Sequence, residues 1–147
     1  GNRNADLMFI GEGPGADEDI QGEPFVGKAG QLMNKAFEAL DIKREEVYIA
    51  NIVKCRPPQN RDPYPDEQAA CISFLDAQIH CLKPKMILCL GRISAHKLLN
   101  TEEALGKLAE QKQGWRVEDL KAHPCKVIPV DEAGVVFSEL RGAIHHL

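Results

Sequence analysis

Short apolar runs that alternate with segments of helical period constrain this chain most. Leu7-Met8-Phe9-Ile10, Val47–Val53 and Lys85–Leu90 each read as a buried strand, and Lys126–Val130 as a fourth. Two of the runs end directly on glycine, Gly11 and Gly91. Their apolar density suits strands covered on both faces, as in a parallel sheet. Between them, Ala29, Leu32, Met33, Ala36, Phe37 and Leu40 recur at helical spacing over Gly27–Leu40. A second helix is expected over about 66–82, with Cys71, Leu75, Ile79 and Leu82 along one side and Pro84 as its stop. A third is expected over about 93–99, and Asn100 with Glu103 has capping-box spacing before another. The segment 137–147 reads ambiguously. Strand–helix alternation predicts an α/β fold, a three-layer αβα sandwich around a mainly parallel four-stranded sheet. A chain of 147 residues suits one domain over 1–147.

Ligands in such sheets bind beyond the carboxyl ends of the strands. Two long segments leave that edge, 12–27 and 54–65, and both read as loops. Structureless connections of that length are uncommon unless functional or disordered. Gly11-Glu12-Gly13-Pro14-Gly15 allows close backbone approach to a ligand. It is not the dinucleotide fingerprint, and Gly27-Lys28-Ala29 is not a phosphate loop. A ligand site and a plain turn both stay open there.

Glu12 follows the first strand and could orient water or stabilise a cationic sugar. Asp17 and Asp19 fit a solvated, helix-capping loop. Phe25 could stack on a planar base or staple the following helix. Asn51 interrupts an apolar strand near its carboxyl end, where an unsatisfied amide is costly. Its acceptor and donor match a pyrimidine edge; a bond securing the next loop is the plainer alternative. Lys54, Arg56 and Arg61 could contact phosphates or simply be solvated. The net charge of −4 argues against broad, non-specific wrapping of nucleic acid. Five cysteines at irregular spacing give no disulfide framework, and spacing alone favours free thiols. No apolar run reaches membrane-span length, and the cytoplasm is the expected compartment.

Four segments together carry a resemblance: Gly11–Asp19 (GEGPGADED), Gly22–Gln31 (GEPFVGKAGQ), Asn51–Pro63 (NIVKCRPPQNRDP) and Glu67–Cys71. With Leu90-Gly91-Arg92 they make the chain resemble family 4 uracil-DNA glycosylases, the iron–sulfur type, over about residues 5–99. The resemblance implies base flipping and hydrolysis of the N-glycosidic bond of uracil in DNA, with uracil-containing DNA as partner and no obligate protein partner. It implies catalytic roles for Glu12 and Asn51, and substrate contacts from Gly13, Glu18, Phe25 and Asn51. Cys55 and Cys71 resemble two of the four ligands of the family's 4Fe-4S cluster. The family's remaining C-x-x-C pair has no counterpart ahead of Leu7, so an intact cluster is not expected in this chain.

The family's His-Pro motif follows its fourth strand, whereas His123-Pro124 precedes the candidate strand here. Leu140-Arg141-Gly142 with His145 resembles the segment before the family's last strand. A truncated ending, with the domain shortened at both ends, and a divergent ending both stay open. A catalytically impaired DNA- or nucleotide-binding domain of the same fold is the alternative, and an α/β enzyme acting on a small metabolite is a third reading.

Overall fold

A computed structural model describes residues 1–99, 115–117 and 125–130. The elements run β1 (Leu7–Gly11), α1 (Ala16–Gln21), α2 (Lys28–Ala39), β2 (Tyr48–Asn51), α3 (Pro65–Leu82), β3 (Met86–Leu90), α4 (Arg92–Leu99), β4 (Trp115–Val117) and β5 (Cys125–Val130). The sheet order is β2-β1-β3-β5-β4. β1, β2, β3 and β5 are mutually parallel, and β4 lies antiparallel on β5 at the edge. The four parallel strands are those expected. β4 was not foreseen, because three residues are too few to establish an alternation.

Each parallel strand sends successive side chains to opposite faces, and both faces are covered. On one, Met8, Ile10, Ile52, Ile87, Cys89 and Val127 pack with Leu75 and Ile79 of α3 and Ala95 and Leu98 of α4. On the other, Phe9, Ile49, Leu88 and Val130 pack with Met33 and Phe37 of α2. Phe9 and Phe37 meet edge to face, ring centroids 4.9 Å apart. This is the three-layer αβα sandwich. Leu32, expected on the apolar stripe of α2, is instead exposed.

The chain passes from β1 outward to β2, then returns to the far side of β1 to form β3. The connections after β1 and β3 therefore leave in opposite directions and open a crevice at the carboxyl edge. The first connection is not wholly a loop: α1 occupies Ala16–Gln21 and ends at Gly22, whose φ of +73° is the left-handed conformation of a helix C-cap. Six residues, three of them acids, are too short to show a period. The Lys54–Pro65 connection is irregular apart from one 3₁₀ turn at Pro58–Asn60.

Candidate functional site

The carboxyl ends of β1 and β2 build the site. Gly11 and Asn51 are register partners. Their backbones stay paired beyond the strands, since Ile52 N–H donates to Gly11 O (2.9 Å) and Val53 N–H to Glu12 O (3.0 Å). That pairing draws both connections together and lays Gly13 on Val53; a Cβ at Gly13 would lie 2.6 Å from Val53 Cγ2. At Gly11, the space a Cβ would fill is taken by the Phe25 ring and by Asn51 Oδ1, the latter 2.7 Å from that position. Glycine at position 11 thus lets Phe25 and Asn51 converge.

Asn51 is 6% exposed, and its Oδ1 is buried with no hydrogen-bond partner. A buried amide oxygen left unpaired costs about 1–3 kcal/mol. Among the described residues, Asn51 borders two adjoining pockets. The smaller, about 130 Å³, is lined by Gly13, Asp17, Glu18, Phe25 and Gly27 among others. The larger, about 240 Å³, includes Pro14, Asp19, Glu23, Lys54 and Gln78.

Phe25 sits at φ +53°, a costly conformation for an aromatic residue. Its surroundings hold it there. The backbone of α2 at Gly30 presses directly on the Phe25 carbonyl, leaving no room for a side chain. From the other side, Glu18 Oε2 accepts from Val26 N–H (2.8 Å) and Gly27 N–H (2.7 Å), while Oε1 accepts from Gly15 N–H (3.1 Å). Burial acts to raise the Glu18 carboxyl pKa, but these N–H groups outweigh it and hold it below the ordinary value. Arg44 ties down the same segment by donating to Pro24 O at 2.6 Å.

Glu12 lies at the divergence of β1 and β3, where its Oε1 accepts a long bond from Ile93 N–H, 3.4 Å, at the start of α4. Behind it, buried Ser94 donates from Oγ to Ile10 O at 2.7 Å. Glu12 borders neither of the two pockets at Asn51.

The three cations differ in placement. Lys54 turns inward: its Nζ donates to Asn51 O (2.8 Å) and Gln78 Oε1 (2.6 Å), and Gln78 Nε2 donates to Tyr48 Oη (3.1 Å). Burial pushes the Lys54 ammonium below its usual pKa, partly offset by Cys71 nearby. Arg61 forks onto Glu67 (2.6 and 3.0 Å) and lies 3.7 Å over the Tyr64 ring. That bond, with one from Tyr64 N–H, brings Glu67 down to about 2. Arg56 is exposed with its Nε on Asn60 Oδ1 at 2.7 Å, and so is the one of the three turned mainly to solvent. Arg92 and Asp62 pair at 2.6 Å and tie the second connection to α4.

Gln78 and Arg44 escaped the sequence reading. Gln78 left a signal, an amide on the α3 stripe that holds Leu75 and Leu82; Arg44 left none. His123, His145, Asn100 and Glu103 lie outside the described residues.

Cys55 and Cys81 are exposed and Cys71 is half-buried. Among the described residues, no three or more His, Cys, Asp or Glu side chains are grouped to hold a metal ion. An iron–sulfur cluster needs four thiolate-type ligands. The described residues do not fit one. Among the described residues no helix is long and apolar enough to cross a membrane.

A profile of the uracil DNA glycosylase superfamily matches residues 1–136. The chain belongs to the uracil-DNA glycosylase superfamily. Within it, the chain is 48% identical over 100 residues to the type-4 uracil-DNA glycosylase of Archaeoglobus fulgidus, covering 68% of this chain and 50% of that protein. It is 46% identical over 126 residues to the type-4 enzyme of Saccharolobus solfataricus, covering 82% and 58%. Over 91 residues it is 54% identical to that of Thermotoga maritima, covering 62% and 47%. The chain spans about half the length of these curated relatives.

Proposed function

We propose that this superfamily member, as a single domain, recognises uracil in DNA by receiving the flipped-out base in the crevice at Gly13, Phe25 and Asn51. The observation that carries the reading is the buried, unpartnered Asn51 Oδ1 beside the Phe25 ring. Uracil N3–H would donate to Oδ1 and its O4 would accept from Nδ2, while Phe25 stacks on the ring. Flipping costs about a few kcal/mol, least for an unpaired base, and a filled acceptor with a stacked ring offsets it. Gly13 lets the base approach the backbone. Glu18 acts through Phe25, whose turn it holds. Arg56 is the best placed of the three cations for a flanking phosphate, and the cytoplasm remains the proposed compartment.

The accompanying reaction would be hydrolysis of the N-glycosidic bond. The C1′–N1 bond breaks, the electron pair leaves with uracil, water adds at C1′, and the proton that water loses ends on the departing uracil. Glu12 is proposed to orient that water and to face the oxocarbenium-like sugar. Binding without turnover is favoured by one observation: Glu12 Oε1 is engaged by Ile93 N–H at the start of α4.

Uracil release from single- and double-stranded DNA containing deoxyuridine, measured beside binding of the same DNA, separates the two readings. Release that Asn51→Ala and Glu12→Gln both abolish supports the glycosylase. Asn51-dependent binding without release supports the recognition domain. Binding of uracil-containing DNA that Asn51→Ala leaves unchanged, with the variant folded, would refute both.

A further inference from the structure

Phe25 presents its ring at Gly11 from a backbone held at φ +53°. A positive φ on an aromatic residue persists only where the surroundings over-determine it. The dihedrals of Phe25 express how its two flanking peptide planes lie relative to one another. The plane after it is held through its N–H, which Val26 donates to Glu18 Oε2 at 2.8 Å. The plane before it is shared by Pro24 and Phe25. The pyrrolidine ring fixes φ of Pro24, so the soft dihedral there is the Pro24 ψ. Rotation about it swings the Pro24 carbonyl and turns Phe25 with it.

Arg44 holds that carbonyl. Its guanidinium donates from Nη2 to Pro24 O at 2.6 Å and from Nη1 to Asn34 Oδ1 at 2.9 Å. Arg44 opens the 3₁₀ turn Arg44–Glu46, which leads through Val47 into β2, and Asn34 lies on α2. One planar fork thus joins the approach to β2, the helix α2 and the turn that carries Phe25. A guanidinium serves two acceptors in fixed geometry, which an ammonium does not. The bond to Pro24 O is partly buried, where a charged donor gains strength. Arg44 lies outside all four segments that carry the glycosylase resemblance.

We propose that Arg44 is a positioning residue for base recognition: by fixing the Pro24–Phe25 peptide it sets the plane in which the Phe25 ring meets a bound base. It acts through Phe25 and touches no part of the DNA. The assignment rests on the base-recognition reading above.

The test measures binding of the whole chain to two oligonucleotides. They are identical except for a central 2′-fluoro-2′-deoxyuridine, which resists cleavage, or a tetrahydrofuran abasic analogue, which offers no base to stack on. Phe25→Ala should weaken the uracil oligonucleotide about tenfold more than the abasic one, the scale of one base–aromatic stack. Arg44→Met should weaken the uracil oligonucleotide selectively by about threefold or more, up to the Phe25→Ala loss. In a Phe25→Ala background, Arg44→Met should cause little further loss, because the residue it positions is gone. Arg44→Lys, which keeps a charged donor for Pro24 O, should restore part of the affinity. Thermal melts report folding. If Arg44→Met does not fold, Arg44→Lys takes its place in the same cycle, with a smaller selective loss expected.

Equal weakening of both oligonucleotides by the Arg44 variant marks a phosphate contact or a general structural role and overturns the assignment. Unchanged affinity for both, or a loss as large in the Phe25→Ala background as in the wild type, also overturns it. Each of these leaves the base-recognition reading standing. If Phe25→Ala itself weakens both oligonucleotides alike or neither, the base-recognition reading falls, and the Arg44 assignment with it.

Discussion

Removing the Glu18 carboxylate should loosen the turn that carries Phe25 and weaken the fold in a pH-dependent way. The carboxylate accepts three backbone N–H bonds, at 2.7, 2.8 and 3.1 Å, from both sides of α1. A hydrogen bond to a charged group contributes about 1.5–3 kcal/mol when well sheltered. Glu18 is partly solvated, so water replaces some of this in a truncated variant, and about 2 kcal/mol in total is the expected loss for Glu18→Ala. Glu18→Gln keeps one acceptor oxygen but turns an amide toward other N–H groups, so roughly half or more of that loss is expected.

The folded-state pKa of Glu18 lies below the ordinary 4.5. Its stabilisation is therefore fully present above that value and is lost as pH falls through the folded pKa. Urea denaturation of wild type, Glu18→Ala and Glu18→Gln at pH 7, and again along an acid series, measures the differences directly. The gap between wild type and Glu18→Gln should be open at pH 7 and narrow in acid. A Glu18→Ala variant within about 0.5 kcal/mol of wild type at pH 7, or a gap that does not change with acid, would refute the reasoning.

Gly11→Ala should disable base binding more than it destabilises the fold, because the added Cβ displaces the Phe25 ring and Asn51 Oδ1, both movable side chains. Titration with uracil-containing DNA beside a thermal melt checks this, and unchanged affinity would contradict the geometry. The cysteines should divide in thiol labelling of the native chain followed by mass spectrometry. Exposed Cys55 and Cys81 should react readily. Burial pushes the thiols of Cys89 and Cys125 up to about 12 and about 11, so both should stay protected until the chain unfolds.

How much was legible in the sequence depends on how locally each feature is specified. The parallel strands announced themselves as apolar runs, and α2 and α3 by their period, because burial on two faces or on one stripe imposes a residue pattern directly. Helix α1 did not, being short and acid-rich, with its glycine C-cap as the only cue. The residues proposed for the site were singled out by motif order, yet that order could not say what each side chain touches. Lys54 and Arg61 looked alike as loop cations, but one is turned inward by Gln78 from a helix 24 residues away and the other is clamped by Glu67.

The sequence by itself determined the layered α/β plan, the edge from which the two long connections leave and the residue types gathered there, since patterning and turn chemistry act over neighbouring residues. Only the tertiary structure decided that Gly11 makes room for both Phe25 and Asn51, that Gly30 and Glu18 hold Phe25 at a positive φ, and that Asn51 keeps an unpaired oxygen. Those are properties of atoms brought together across the sheet, and no local pattern of residues encodes a contact that exists only once distant segments have packed.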